Sequence, residues 1–497
     1  MDAFANLLYG FQIALSPANI FYCFVGVLAG TIIGMIPGLG PISALALMIP
    51  ITFAMDPASA LILMAGVYYG AIFGGSTSSI LLNAPGVAGT VATSFDGYPM
   101  AKQGKAGKAL AIAAYASFIG GTISVVGLML VAPALSRVAI AFGPAEYFAL
   151  MVLGLTAVVS LSDKSLIKGL IAAVFGVMVS IVGIDLQTGT QRYTMGQLHL
   201  LQGIDFLVVA LGVFALAEVF VLLLNAPRGE SGKKEPIGSL LLSRSEARAI
   251  AGPVGRGSIL GFFIGVLPGA GATVASFLAY SMEKRIAKDG DTFGKGNIKG
   301  VAAPESANNA ACGGSFVPLL TLGVPGSGTT AVLLGALLVM GVTPGPMMLQ
   351  DRPEIFWGVI ASMYLGNIFL LILNLPLIPL LAKILDLPRA LLLSCIILFC
   401  LIGVYAVKFS AFDLYVLLAF GGIGLAMRLN GFPLAPMILA LILGALLEEN
   451  MRRALQISGG DWLTFVNKPI SATLLAIAIF SLAAPPLVRL WRWQRRR

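Results

Sequence analysis

The chain has 497 residues, 58% of them hydrophobic and only 11% charged, with a formal net charge of +9. Soluble domains carry about 25% charged residues, so a solvated surface all round is excluded and the chain reads as a membrane protein. Its basic residues gather in four short segments, Lys102–Lys108, Arg228–Arg256, Lys284–Lys299 and Arg489–Arg497, a pattern of cytoplasmic loops and not of a nucleic-acid surface.

No Lys or Arg precedes Lys102. The basic start of a signal peptide is therefore missing, and the N-terminus is expected outside the cytoplasm. The first motif is Gly26–Gly40, GVLAGTIIGMIPGLG, in which Gly26, Gly30 and Gly34 put small residues on one helix face. Pro37 then removes a backbone donor, while Gly38 and Gly40 allow conformations closed to other residues. The second motif, Gly74–Gly86, reads GGSTSSILLNAPG and is rich in hydroxyls, ending at Asn83, Pro85 and Gly86. Apolar stretches follow at Phe118–Val131, Leu150–Val159 and Phe206–Leu224. Glu146, after FGP, is placed to start a helix. Glu218, inside an apolar span, is either functional or paired with another helix.

Both motifs then recur. Gly257–Gly271 reads GSILGFFIGVLPGAG, so Gly257, Gly261, Gly265, Pro268, Gly269 and Gly271 repeat the first set at one constant offset. Gly313–Gly326, GGSFVPLLTLGVPG, repeats the second with one added residue. Further apolar stretches lie at Leu391–Val407 and Thr473–Leu482. Between them Glu448, Glu449, Arg452 and Arg453 have the i,i+4 spacing of an interfacial helix end. The tail WRWQRRR joins Trp491 and Trp493 to a basic end, as for a helix leaving on the cytoplasmic side. The expected fold is an all-α polytopic membrane protein of about 12 transmembrane segments, two or three of them broken.

Charge sets the orientation of the two copies. The loop after PGLGP carries Asp56 and no cation, whereas that after PGAG carries Lys284, Arg285, Lys288, Lys295 and Lys299. After NAPG come Lys102, Lys105 and Lys108, but after GVPG only Arg352. Equivalent loops thus fall on opposite sides, which predicts two inverted-topology repeats with broken helices, an architecture of secondary transporters. We place the first half at 1–225, a cytoplasmic linker at 226–250, the second half at 251–470, and a C-terminal helix with basic tail at 471–497.

Unwound backbone at membrane depth survives only where protein or a watery cavity surrounds it. The candidate substrate and ion site is therefore Pro37, Gly38, Gly40, Pro268, Gly269 and Gly271 with Ser76, Thr77, Ser78, Asn83, Asn308, Asn309 and Ser315. This oxygen-rich neutral set suits a carboxylate without a permanently buried cation. Thr329 and Thr330, which match Thr90 and Val91, are weaker candidates. Glu305, in APESANNAA, either partners a proton or sodium ion or caps a helix at the membrane surface. The single His199 lacks a partner at ligand spacing, and Cys23, Cys312, Cys395 and Cys400 show no metal spacing. With no HExxH and few intramembrane acids, a membrane enzyme is disfavoured; a channel or a passive scaffold stands as the alternative.

Several runs resemble the large membrane subunit (TctA-type) of the tripartite tricarboxylate transporters. They include PGLGP at Pro37–Pro41, YYGAIFGGSTSSILLNAPG at Tyr68–Gly86 and DGYPMAKQGKAGKAL at Asp96–Leu110. FGPAEYFAL at Phe142–Leu150, PGAGATVASFLAY at Pro268–Tyr280, the long Phe293–Gly326 run and Pro433–Leu455 extend the likeness over nearly the whole chain. The resemblance implies a small four-helix membrane subunit and a periplasmic solute-binding protein as partners in a bacterial inner membrane. It implies uptake of a tri- or dicarboxylate such as citrate, driven by Na+ or H+ and not by ATP. The absence of GxxxxGK[ST] agrees with that. No other cofactor is expected, and an elevator-like motion follows by analogy alone.

Overall fold

The computed structural model describes residues 3–160, 165–185, 187–224, 237–269 and 271–494. The arginines of the tail beyond Gln494 and residues 226–236 of the basic linker lie outside the described residues. Helices run in order α1 (Ala3–Ala14), α2 (Pro17–Met35), α3 (Gly40–Thr52), α4 (Pro57–Leu82), α5 (Val91–Met100), α6 (Ala106–Ala139), α7 (Pro144–Ser160) and α8 (Leu166–Ser180). A hairpin of β1 (Gly183–Ile184) and β2 (Gln191–Arg192) leads to α9 (Phe206–Ala210), joined through a π turn at Leu211–Leu216 to α10 (Ala217–Leu224). Then come α11 (Arg244–Val266), α12 (Gly271–Ile286), α13 (Ile298–Leu322), α14 (Gly328–Val339), α15 (Met348–Asp351) and α16 (Pro353–Asn374). The chain closes with α17 (Ile378–Leu381), α18 (Arg389–Lys408), α19 (Ala411–Leu429), α20 (Leu434–Ile457), α21 (Thr464–Asn467) and α22 (Pro469–Gln494).

The helix starts are written in local chemistry. Asp56 accepts from the N–H groups of Ala58 and Ser59, both at 3.1 Å, with Pro57 in the first turn. Ser243 and Glu246 form a reciprocal capping box on α11, and Ser327 with Thr330 does the same on α14. Among the described residues, nine helices are long and apolar enough to cross a membrane, and five shorter apolar ones accompany them. The count of about 12 blurs this division. The first break leaves a short apolar half, α3, while α12 and α13 are not among the nine.

Two helices form the centre. α4 and α13 are buried along almost their whole length, each wrapped by protein instead of lipid. That placement follows from their composition, since Ser76–Ser79 and Glu305–Asn309 cannot face hydrocarbon cheaply. α2 packs along α4, and α11 along α13, through the glycine stripes. A Cβ on Gly26, Gly30 or Gly34 would lie 2.2 Å from the carbonyl oxygens of Leu63, Val67 and Ala71. A Cβ on Gly257, Gly261 or Gly265 would lie 2.6, 2.3 and 2.2 Å from those of Ala303, Ala307 and Ala311. Both stripes thus meet their partner helix one residue per turn, in the same register. α6 packs on α13, where Gly120 meets the Ser306 carbonyl, and α16 lies against α4 and α6.

Away from this centre several charges are paired. Glu448–Arg452 and Glu449–Arg453 form the i,i+4 bridges at 2.5 and 2.6 Å. Arg192 of the hairpin reaches Glu448 at 2.8 Å, and Arg452 reaches Asp185 at 3.1 Å. The Gln187 N–H, then Thr188 and Arg452, hold the Asp185 carboxyl down at about 2. Glu146 sits in the first turn of α7, accepting from Gly143 N–H at 2.9 Å and Lys468 at 3.4 Å.

Gly30→Val drives a side chain into the Val67 carbonyl and is expected to lower stability in detergent by about 1–3 kcal/mol or more. Gly255→Ala meets open space and should be tolerated. A thermal-unfolding comparison of the two purified variants checks this; equal melting would contradict the close α2–α4 seam.

Candidate functional site

The two helix breaks have the same build. After α2, Gly38 and Gly40 take positive φ values of 94° and 53°; after α11, Gly269 and Gly271 take 83° and 60°. In each case the second glycine opens a new helix, α3 or α12. The left-handed turns are open to glycine at no steric cost, which is why PGLG and PGAG recur. Gly269 N–H also donates to the Gly326 carbonyl at 2.9 Å, tying the break to the loop that follows α13.

Both breaks line one cavity of about 450 Å³, within the range of small-molecule sites. Gly38–Ser43 form one part of the wall and Gly269 with Gly271–Val274 another; Gly86–Gly89, Ser327–Thr329, Tyr68 and Phe214 contribute further parts. The N-termini of α3, α12 and α14, at Gly40, Gly271 and Gly328, all open onto this space. A helix start lacks intrahelical partners for its first N–H groups, and its aligned peptide dipoles favour a negative charge; at α14 the Ser327–Thr330 capping box already takes part of this capacity. Among the described residues lining the cavity, one is charged: Arg428, from the last turn of α19.

Glu305 lies beside the cavity wall, not in it. It is fully buried inside α13, whose N-cap is Asn297, so the helix-capping reading is overturned. Its carboxylate accepts from Ser76 Oγ at 2.8 Å, Thr93 Oγ1 at 2.5 Å and Ser117 Oγ at 3.0 Å. Asn309 Nδ2 donates to Ser117 Oγ at 2.7 Å, leaving Asn309 Oδ1 and the whole Asn308 amide buried without a partner. Asn308 abuts Gly89 of the cavity wall, since a Cβ there would meet its Oδ1 at 2.4 Å. A void of about 10 Å³, lined in part by Ser76, Thr77, Ser117 and Asn374, adjoins two of the hydroxyls that bond the carboxylate, those of Ser76 and Ser117. No Lys or Arg among the described residues forms an ion pair with Glu305. An oxygen cage with no resident cation is suited to a proton or a small cation.

The sequence-derived residues therefore divide. Gly38, Gly40, Gly269, Gly271 and Thr329 line the cavity, with Pro37 and Pro268 in the turns that shape it. Ser76 bonds the Glu305 carboxylate and Asn309 the Glu305 carbonyl, while Thr77 lines the small void beside Ser76 and Asn308 is buried next to Gly89. Ser78 accepts from Gly86 N–H at 3.1 Å, and Ser315 donates to the Cys312 carbonyl at 2.7 Å, so both hold backbone. Asn83 is the exposed C-cap of α4 with φ 52°, the counterpart of Gly323 at the end of α13 with φ 68°. Thr330 belongs to the α14 capping box.

Two buried or cavity-lining charges were not singled out in the sequence. Arg428 adds a guanidinium to the lining of a cavity whose candidate residues are all neutral; its signal is a lone cation ending an apolar stretch. Asp96, inside the DGYPMAKQGKAGKAL run, is fully buried. Its Oδ1 accepts from the N–H groups of Gly294, Gly296 and Asn297 at 2.9, 2.9 and 2.7 Å, and its Oδ2 from Tyr280 at 2.9 Å. It thereby fixes the entrance to α13 and, through it, Glu305.

Residues 20–439 match the family described as tripartite tricarboxylate transporter TctA. An uncharacterized 52.8 kDa protein in the TAR-I ttuC' 3' region of Agrobacterium vitis is 48% identical over 479 residues, covering 96% of this chain and 95% of its own length. An uncharacterized protein in the TAR-II ttuC' 3' region of the same organism is 47% identical over 231 residues, 46% of this chain and 96% of its own. No solved structure matches.

Asp96→Ala strands three backbone donors and the Tyr280 hydroxyl, each buried loss being worth about 1–3 kcal/mol. Faster protease cleavage in the 287–297 loop is expected, with Asp96→Asn retaining part of the protection. Unchanged cleavage in Asp96→Ala would contradict the anchoring role.

Proposed function

The chain belongs to the tripartite tricarboxylate transporter TctA family, and from that premise we propose that it performs secondary active uptake of a small tri- or dicarboxylate. It is a multi-pass membrane protein and a transporter subunit of a tripartite system, not a soluble enzyme. In the proposed system it works in the bacterial inner membrane with a small four-helix subunit and a periplasmic solute-binding protein. Its N-terminus lies on the periplasmic side and its C-terminus in the cytoplasm, with 1–225 and 251–470 as inverted halves.

One observation carries this reading: two like-built helix breaks and three helix N-termini converge on a single cavity. Anionic groups of a substrate then find backbone N–H donors already oriented at the helix starts. Glycine turns let the backbone itself approach the ligand. Carboxylate uptake into a negative interior runs against the membrane potential, at about 2.3 kcal/mol per charge per 100 mV. A co-transported cation offsets that, and the caged Glu305 beside the wall is the group we assign to it, for Na+ or H+.

Reconstituted with its partners, the unmodified chain is expected to accumulate a C4–C6 carboxylate when a sodium or proton gradient is imposed. Glu305→Gln, which removes the charge and keeps the shape, should cut that gradient-driven accumulation by about tenfold or more, a difference of about 1.4 kcal/mol. Unchanged accumulation would remove Glu305 from coupling. Ungated, non-saturating flux through the unmodified chain would mean a channel instead.

A further inference from the structure

We propose that Arg428 is the cationic clamp for a substrate carboxylate, and that Glu218 is an internal carboxylate that holds this guanidinium until substrate displaces it. The inference rests on the transport reading and deepens it by naming what selects the anion.

The fold takes trouble to bring these two residues together. The π turn at Leu211–Leu216 widens the helix just before Glu218, and Ser43 Oγ of α3 donates to the Phe214 carbonyl there at 3.3 Å. Such turns recur at functional sites. α19 lies close along this segment through glycines: a Cβ on Gly424 would meet the Val213 carbonyl at 2.9 Å, and one on Gly212 the Leu417 carbonyl at 2.9 Å. At the end of that seam Arg428 Nη1 donates to Glu218 Oε2. The Glu218 side chain is 5% exposed and that of Arg428 28%. The arginine, not the glutamate, reaches the cavity lining. On its other flank the glutamate touches the first break, because a Cβ on Gly38 would lie 2.7 Å from Glu218 Oε1.

The pair is incompletely bonded. A guanidinium offers five N–H donors, yet Arg428 Nε is buried without a partner and Glu218 is the group it bonds. Arginine binds a carboxylate best through two parallel N–H donors. An incoming carboxylate in the cavity offers what the present contact lacks, a planar partner for two donors at once, while the helix starts of α3 and α12 bind its other oxygens. A buried ion pair is seldom retained for stability alone, since apolar residues of equal volume do as well. Here it stores a cation at the cavity wall in compensated form, so that the empty site carries no bare charge. It also rejects neutral solutes, which cannot replace Glu218.

The test uses the chain in proteoliposomes with its partner subunits and the C4–C6 di- or tricarboxylate that the unmodified system accumulates best. Arg428→Gln is expected to raise the half-saturating concentration by about tenfold or more, and Arg428→Lys, which keeps charge but loses the fork, by less. Glu218→Gln frees the arginine and should lower the half-saturating concentration while slowing the maximal rate. The double variant Glu218→Gln/Arg428→Gln carries no uncompensated charge and should stay as impaired as Arg428→Gln. Unmodified half-saturation in the double variant would show a purely structural pair and overturn the proposal. So would a Glu218→Gln variant whose half-saturation rises. Should either single variant fail to fold, judged by its melting in detergent, the double still decides. Absence of any carboxylate uptake by the unmodified system is a different failure, that of the transport reading.

Discussion

Everything in this structure answers to one constraint: backbone N–H and C=O groups within a bilayer must find partners inside the protein. Breaking a helix at Pro37 and again at Pro268 frees such groups between apolar helices, where lipid could not satisfy them. The molecule meets the constraint by enclosure. α4 and α13 run buried through the centre, α2 and α11 close against them on glycine stripes, and the freed ends of α3, α12 and α14 open onto a shared cavity. A space lined by unsatisfied donors is costly when empty of polar matter and favourable when it holds an anion or water. The same feature that threatens the fold defines what it can bind.

The three buried carboxylates near this centre show how environment sets role. Asp96 receives three backbone N–H groups and a phenol, a fixed arrangement that anchors a loop. Glu218 faces a guanidinium that also reaches the cavity. Glu305 has only hydroxyl partners, all of which can rotate. Fixed donors hold a charge in place, whereas rotatable hydroxyls can turn their lone pairs toward a cation. The proposed division of labour among anchor, substrate clamp and coupling group follows from those donor types.

Much of this was legible in the residues. The paired Gly-Pro motifs marked the breaks because few residues other than glycine tolerate such turns, and the close α2–α4 and α11–α13 seams were implied by four-residue glycine spacing. The helix-rich fold followed from apolar length. Glu305 stood out as an ionisable residue in an apolar setting. Its partners did not, for Thr93 and Ser117 lie some two hundred positions away and are joined to it only by the packing of α5 and α6 on α13. That Ser78, Asn83 and Ser315 stand apart from the cavity is not legible in composition, which cannot separate a polar group that faces a cavity from one that ties down or ends a helix. Arg428 was hidden by its place at the end of an ordinary apolar span.

The central claim is that both breaks hold the same anion. Single cysteines at Ile42 and Thr273, both in the cavity lining and one after each break, can be introduced after replacing Cys23, Cys312, Cys395 and Cys400. Their rates of reaction with a membrane-impermeant thiol reagent are then followed with and without the transported carboxylate. The account predicts that one carboxylate slows both reactions over the same concentration range. Protection of one position only, or of neither at concentrations that saturate uptake, would contradict it.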